Sequence, residues 1–322
     1  MSTVTSPAVV PSHGRPSILP GVGYGLIAAA TFGSSGTSAR SLLDIGWSPG
    51  AVVLLRIGVA AVILLVPALL AMPGRWRQLR RNAGPLVVFG LLAVAGAQLC
   101  FYNAVEHVSI GVALLIEYSG ILLVVGWLWL RSKVRPAPLT LAGGVAAMLG
   151  LALVLNVFGG AQVSLVGVLW GLGAAVGLAI FYLMAARTED GLPPLVVVAG
   201  GMLIGTIGLA VAAVTGVMPM TAKTADVSLA GATMTWLIPA AWLGIMTAAV
   251  AYLAGVLAVQ RLGSTMASFF GLTEVLFAVL FAWLLLDEIP ATIQLVGGML
   301  ILVGVVLVRL GELRAPAAGA VV

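Results

Sequence analysis

Two carboxylates stand in the middle of long apolar runs: Glu117 in LLIEYSGILLV and Glu274 in GLTEVLFAVL. A charged group at the centre of a bilayer costs about 2.5–3.5 kcal/mol on insertion scales, so an intramembrane carboxyl is read first as functional. A carboxyl in low dielectric favours its neutral form, which suits it to load a proton at one face and release it at the other. The competing reading is a neutral structural carboxyl bonded to a neighbouring Ser, Thr or Tyr. Arg56 lies several residues inside the outer end of the second run, where an arginine can snorkel to the interface. It could equally pair with a carboxylate or hold an anionic substrate group. Gln98, Tyr102 and Asn103 in the third run and Tyr252 in the eighth are further candidates for substrate contact, although polar groups in lipid also tie helices together. Tyr118 and Ser119 follow Glu117 directly, and Ser34-Ser35 lie between Gly33 and Gly36, where the first run could bend or open.

What is missing narrows the chemistry. There is no G-x-x-x-x-G-K-[ST] loop, and only two lysines are present against thirteen arginines, so ATP is not expected as the driver. The two histidines are His13 and His107, and no H-E-x-x-H occurs; neither a metal site nor a histidine-based catalytic centre is supported. Gly21-Val22-Gly23 lacks the third glycine and the preceding strand of a dinucleotide loop. Cys100 is the single cysteine, so no intramolecular disulfide can form. No pair of acid–base groups or nucleophile with its base converges in the pattern of an enzyme. We therefore expect no enzyme and no cofactor.

These side chains need elements that hold them in a bilayer. Of 322 residues 61% are hydrophobic and 8% charged, with a mean hydropathy of +1.20. Soluble domains carry roughly 25% charged residues, so too few charges remain to coat a water-soluble globule. Ten apolar runs, at about 17–38, 49–71, 85–104, 108–130, 137–157, 164–186, 193–214, 235–259, 264–286 and 291–310, are expected as spanning helices of roughly 20 residues each. The first continues to Ser38 and is expected as a retained helix, not a cleaved signal. Pro49, Pro85, Pro136, Pro194 and Pro290 stand at run starts, where a missing backbone donor costs little. The break at about 215–234 is too polar to span. Trp47, Trp127, Trp129, Trp236 and Trp283 lie near run ends, as an interfacial belt would.

With the N-terminus inside, twelve Lys and Arg fall in inner segments and only Arg40 and Lys223 in outer ones. That bias places both termini in the cytoplasm. It also accounts for the net charge of +5 and the pI near 9.9 without a nucleic-acid partner. The expected division is a cytoplasmic tail over 1–16, a first half over 17–160, a second half over 161–311 and a cytoplasmic tail over 312–322.

The two halves repeat. A shift of 154 residues places Gly90 on Gly244, Gln98 on Tyr252, Trp129 on Trp283, Lys133 on Asp287, Pro136 on Pro290, Gly143-Gly144 on Gly297-Gly298 and Gly150 on Gly304. Nearer the start a shift of 146 matches Gly21-Val22 to Gly167-Val168 and Gly25 to Gly171. Five helices per unit is an odd number, so units in series must be inverted relative to one another. The expected fold is thus an all-α polytopic membrane protein of ten helices in two inverted five-helix repeats, the architecture of secondary transporters.

The stretch from Gly244 to Val308, with Ala251-Tyr252, Arg261-Leu262-Gly263, Thr273-Glu274-Val275, Asp287-Glu288 and Gly297-Gly298 followed by Gly304, resembles the second repeat of EamA-type members of the drug/metabolite transporter superfamily. The first repeat is similar but more divergent, and Glu117-Tyr118-Ser119-Gly120 looks closest to the threonine/homoserine exporter branch. The resemblance covers about residues 17–310. It implies export of amino acids or related small metabolites from a bacterial inner membrane. The family often has proline after the helix-nine glutamate; Val275 stands there, and Ile121 at the matching place in helix four, so this sequence does not supply proline-made bends.

The resulting expectation is a multi-pass inner-membrane exporter that exchanges a small-molecule substrate for protons, with Glu117 or Glu274 as the coupling group. The cavity is expected between helices one, three, four, six, eight and nine, in contact with membrane lipid around it. A monomer and a homo-oligomer both fit the sequence. The alternatives are efflux of lipophilic drugs, or a membrane assembly subunit that transports nothing.

Overall fold

The structure is a computed structural model, and it describes residues 18–105, 107–108, 110–157, 164–186, 191–287 and 289–314. The tail assigned to 1–16, the end of the chain from 315, and Arg187 and Glu288 lie outside the described residues, as does the side chain of Tyr102.

Helices α1 (Leu19–Gly33) and α2 (Ser35–Asp44) form one rod interrupted at Ser34, whose amide still donates to the Ala30 carbonyl at 3.1 Å. Next come α3 (Pro49–Leu70) and the short, arginine-rich α4 (Trp76–Arg81). Helix α5 (Ala83–Val88) passes through a π-helical stretch, Phe89–Gly96, into α6 (Ala97–Val105). Helices α7 (Ile110–Tyr118) and α8 (Gly120–Ser132) meet at Ser119. Then follow α9 (Pro138–Val154), α10 (Leu165–Ala185) and α11 (Pro194–Val214). After a small hairpin of β1 (Val227–Leu229) and β2 (Ala232–Met234), α12 (Leu237–Gly244) runs through a second π-helical stretch, Ile245–Val250, into α13 (Ala251–Leu262). Helices α14 (Ser264–Gly271) and α15 (Thr273–Leu286) meet at Leu272, and α16 (Thr292–Arg314) closes the fold.

Eight of these rods are long and apolar enough to cross a bilayer. The other two expected spans fall short for identifiable reasons. Helix α9 has 17 residues, a rise of about 26 Å against a hydrocarbon core of about 30 Å. The first rod is divided at Ser34, and its second part is polar: Thr37, Ser38 and Ser41 are buried, and the Thr37 and Ser41 hydroxyls donate to the carbonyls three residues back. This also carries the rod to Asp44, beyond the expected end near Ser38.

The hairpin departs from the all-α expectation. Its strands pair antiparallel, Val227 with Met234, through a turn with Ala230 and Gly231 both at positive φ (54° and 72°). It packs on α2. The preceding loop is pinned to the start of α3, because Ser48 Oγ donates to the Pro219 carbonyl at 2.8 Å and accepts from the Thr221 amide at 2.9 Å. Trp47 also differs from expectation. It is buried, tilted against Trp236 at 5.5 Å, and its indole donates to the Lys223 carbonyl at 2.7 Å. Trp127, Trp129 and Trp283 are exposed.

The tightest helix pair is α9 against α16. A methyl on Gly150 would lie 2.5 Å from the Gly297 carbonyl and one on Gly297 2.6 Å from the Gly150 carbonyl; Gly143 and Gly304 meet in the same reciprocal way. The two helices therefore cross antiparallel, backbone on backbone, as small residues permit in a membrane. Around the centre, α1 packs on α13 and α15, α3 on α11, and α10 on α6, α7 and α8. The largest buried cluster joins Ile57, Phe89, Phe181, Met202 and Val256 beside the central cavity.

Candidate functional site

A cavity of about 880 Å³ lies between the first rod, α3, α6, α7, α10, α13 and the α14–α15 rod. Its volume is within the range of about 300–1,000 Å³ common for small-molecule sites. Gly36, Arg40, Leu43, Asp44 and Pro49 are exposed at its mouth, on the end of the bundle where α3 begins. The opposite end, toward α4 and its arginines, is shut. There Gly21 packs on Leu262, Gly25 on the Phe270 ring, and Val259 and Ala267 are buried.

Both carboxylates line this cavity, half-buried. Each stands beside a helix break. Glu117 is in the last turn of α7, one residue before Tyr118 and the Ser119 break; Glu274 is in the first turn of α15, two residues after Leu272. The breaks arise without proline. Ser119 Oγ donates to the Ile116 carbonyl at 2.5 Å and Thr273 Oγ1 to the Phe270 carbonyl at 2.7 Å, the local side-chain-to-backbone bonding that bends helices. A helix N-terminus favours negative charge and a C-terminus disfavours it, so the two glutamates occupy electrostatically opposite positions. The Tyr118 side chain stands close to the Glu274 carboxylate, and the carboxylates repel one another across the cavity.

Arg56 does not snorkel. It turns into the cavity wall, where Nη2 donates to the Thr247 carbonyl at 2.7 Å. Thr247 belongs to the second π-helical stretch. The guanidinium carbon sits 5.6 Å from the Phe32 ring centroid, within cation–π range. Nε is buried and has no hydrogen-bond partner among the described residues. The cation acts on Glu117 and Glu274 through space and is hydrogen-bonded to neither.

Gln98 and Tyr252, matched in the two repeats, also line the cavity, close to each other. Tyr252 is wedged edge-on between Phe32 (5.1 Å) and Phe181 (5.7 Å). Asn103 is elsewhere: its Nδ2 donates to the Leu99 carbonyl at 2.7 Å, within its own helix. Ser34 accepts a bond from the Trp242 indole at 2.9 Å, which ties the break in the first rod to α12.

Sequence reasoning passed over Phe32, Phe181 and Tyr182, all in the cavity wall. Tyr182 carried the available signal, a phenol deep in an apolar run. Its hydroxyl lies against the Cα of Gly271, the residue that matches Glu117 in the second repeat, and only a glycine leaves it that space.

The profile of the EamA-like transporter family matches residues 19–156 and again residues 165–310. The threonine/homoserine exporter RhtA of Salmonella typhimurium (strain SL1344) is 30% identical over 190 residues, 59% of this chain and 61% of the exporter. The protein of that name from Escherichia coli (strain K12) is 30% identical over 185 residues, 56% of this chain and 58% of the exporter. The chain thus spans about three-fifths of the length of the curated relatives it matches. A solved crystal structure superposes on 91% of this chain and 99% of its own with a TM-score of 0.75 at 17% identity, a likeness of fold alone. The family is one of transporters, and with eight spanning-capable helices the protein is a multi-pass component of the bacterial inner membrane. Two matched segments covering nearly the whole described chain make it a member of the EamA-like transporter family.

Proposed function

We propose that the protein is a secondary transporter that exports amino acids or related small metabolites in exchange for protons, by alternating access of two inverted five-helix repeats with both termini cytoplasmic. The observation that carries this reading is the cavity itself: two carboxylates and one arginine share a pocket inside a bundle of spanning helices, open at one end and shut at the other. A static pore would be open at both ends.

Several features favour the inverted repeat. The π-helical stretches at Phe89–Gly96 and Ile245–Val250 overlap under the 154-residue shift, and Lys133 and Asp287, matched by it, both end their helices at φ near 57°. Gly143, Gly150, Gly297 and Gly304 meet in reciprocal pairs, as a two-fold relation between halves requires. The charge bias assigns the arginine-bearing α4 end to the cytoplasm, so the mouth faces outward in this state.

In this reading Glu274, oriented by Tyr118, meets the positive group of the solute, and Glu117 carries the proton. A cation arriving beside the carboxylates favours the anionic form of Glu117 and drives its proton off; departure of the solute lets it reload. A ligand shifts the two access states only through differential contacts, and the helix breaks at Ser34, Ser119 and Leu272 are where such contacts can change between states. Threonine and homoserine, named for the relatives, are the first solutes to test. Lipophilic cations are a poorer fit, because Arg56 places a positive charge in the wall.

The test is counterflow from proteoliposomes loaded with a mixed bacterial metabolite extract, with released solutes read by mass spectrometry. Release of an amino acid that follows an imposed pH gradient supports the reading. Equal release without the gradient contradicts proton exchange, and release of no amino acid contradicts the exporter.

A further inference from the structure

Opposite charges sharing a low-dielectric cavity attract strongly, yet Arg56 is bonded to neither carboxylate. It is held back from three directions: by the Thr247 carbonyl at 2.7 Å, by the Phe32 ring at 5.6 Å, and by the course of α3, which brings it in from the mouth side. Nε is buried and unpartnered among the described residues, and a charged donor left unpaired in the interior is costly. Glu274 faces the same cavity from the first turn of α15. An anchored cation and an anion, facing one cavity and not bonded to each other, form a receptor pre-organised for a ligand that bridges them.

We propose that Arg56 receives the carboxylate of the transported solute while Glu274 receives its ammonium, so that the cavity selects zwitterions by their headgroup. This rests on the exporter reading above and adds to it a specificity residue and a rule of selection. The planar guanidinium fork suits a carboxylate, and one of its donors is already spent on Thr247. An amine without a carboxylate would leave Arg56 unpaired, and an acid without an ammonium would leave Glu274 unpaired. Either outcome is disfavoured once water is excluded. Beside Glu117, Gln98 and the tyrosines, much of the wall is apolar, with Phe32, Leu178, Phe181 and Phe270 among its residues. With about 880 Å³ available, side chains of different sizes fit, so discrimination falls on the headgroup.

The experiment compares radiolabelled L-threonine counterflow in proteoliposomes against competition by threonine methyl ester, which lacks the carboxylate, and N-acetyl-threonine, which lacks the ammonium. In the wild type each analogue should compete at least about 30-fold more weakly than threonine, the scale of a lost partner in a desolvated charge pair. Arg56→Gln should raise the threonine KM by a similar factor and abolish discrimination against the ester while keeping discrimination against the N-acetyl compound. Arg56→Lys, which keeps the charge and loses the fork, should fall between. A wild type that accepts the ester as readily as threonine overturns the proposal and leaves the exporter reading standing. So does Arg56→Gln or Arg56→Lys protein that transports with the wild-type ratio of ester to acid. A wild type that carries no amino acid removes the exporter reading and this assignment with it. Because the ester-to-acid ratio of the wild type is itself diagnostic, failure of a variant to fold does not protect the proposal.

Discussion

Substituting Gly150 or Gly297 by alanine probes the closest backbone contact between α9 and α16, one of the seams that join the two halves of the chain. A Cβ at Gly150 would stand 2.5 Å from the Gly297 carbonyl and 2.7 Å from the Ile301 amide nitrogen; one at Gly297 would stand 2.6 Å from the Gly150 carbonyl. Both obstacles are backbone atoms, which cannot rotate away. Restoring ordinary contact at 3.4 Å moves the α9 and α16 axes apart by about 1 Å, a gap that forfeits a quarter to a half of the dispersion attraction along the seam. Overpacking of this kind costs about 1–3 kcal/mol, and the higher helix propensity of alanine returns about 1 kcal/mol at most. Gly126 on α8 supplies the control, since a methyl there meets nothing within 4 Å, and Gly126→Ala should be neutral or stabilising. The assay is thermal melting of the purified protein, in which each kcal/mol lost lowers the midpoint by roughly 2–4 °C. Gly150→Ala and Gly297→Ala should fall by similar amounts. The double variant should lose less than the sum, because one separation of the helices accommodates both methyls. Midpoints for Gly150→Ala and Gly297→Ala at or above that of Gly126→Ala would refute the close-contact reasoning.

Three further outcomes follow from the cavity. Gly271→Ala places a methyl where the buried Tyr182 hydroxyl lies; it should lower the melting midpoint, and adding Tyr182→Phe should restore most of the loss, so absence of rescue would separate the two residues. Tyr118→Phe removes the hydroxyl close to Glu274; if that hydroxyl orients the carboxylate for the solute, the solute KM should rise about tenfold, the low end for a hydrogen bond to a charged group, with Vmax little changed, and an unaltered KM would count against that role. In a Cys100→Ala background, Ser35→Cys at the mouth should react with an impermeant maleimide added outside cells and Ala267→Cys at the floor should not. Cys100 itself is unsuited to this use because it packs on Gly173 and is not part of the cavity wall. The reverse labelling pattern would mean that the mouth faces the cytoplasm.

Much of the architecture was legible because long apolar runs bounded by prolines admit few alternatives. Boundaries at Pro49, Pro194 and Ser264 coincide with helix starts. Hydropathy fails where polar groups satisfy themselves locally. The first run is expected to end near Ser38, yet the polar stretch on to Asp44 stays helical, with the Thr37 and Ser41 hydroxyls bonded back to the helix that carries them. The same chemistry at Ser119 and Thr273 breaks two helices where proline was the only device sought. The hairpin escaped because three-residue strands show no periodicity and its turn uses Ala230 at positive φ, a residue with no turn signature. Sequence also gives the depth of a residue in a helix but not its facing. Arg56 could therefore be placed several residues inside α3, while its turn toward the Thr247 carbonyl depended on the packing of α3 against the second π-helical stretch. Gln98 and Tyr252 were found through the repeat; Tyr182 was missed because its value lies in a contact with Gly271, 89 positions further along the chain.

The most direct test of the account separates solute exchange from proton drive in Glu117→Gln protein reconstituted beside the wild type. Labelled threonine would be followed in two modes: exchange against unlabelled threonine with no gradient, and net release driven by an imposed pH gradient. If Glu117 carries the proton and Glu274 with Arg56 holds the solute, Glu117→Gln keeps exchange and loses the gradient-driven release. Gradient-driven release at the wild-type rate from Glu117→Gln protein would contradict that assignment.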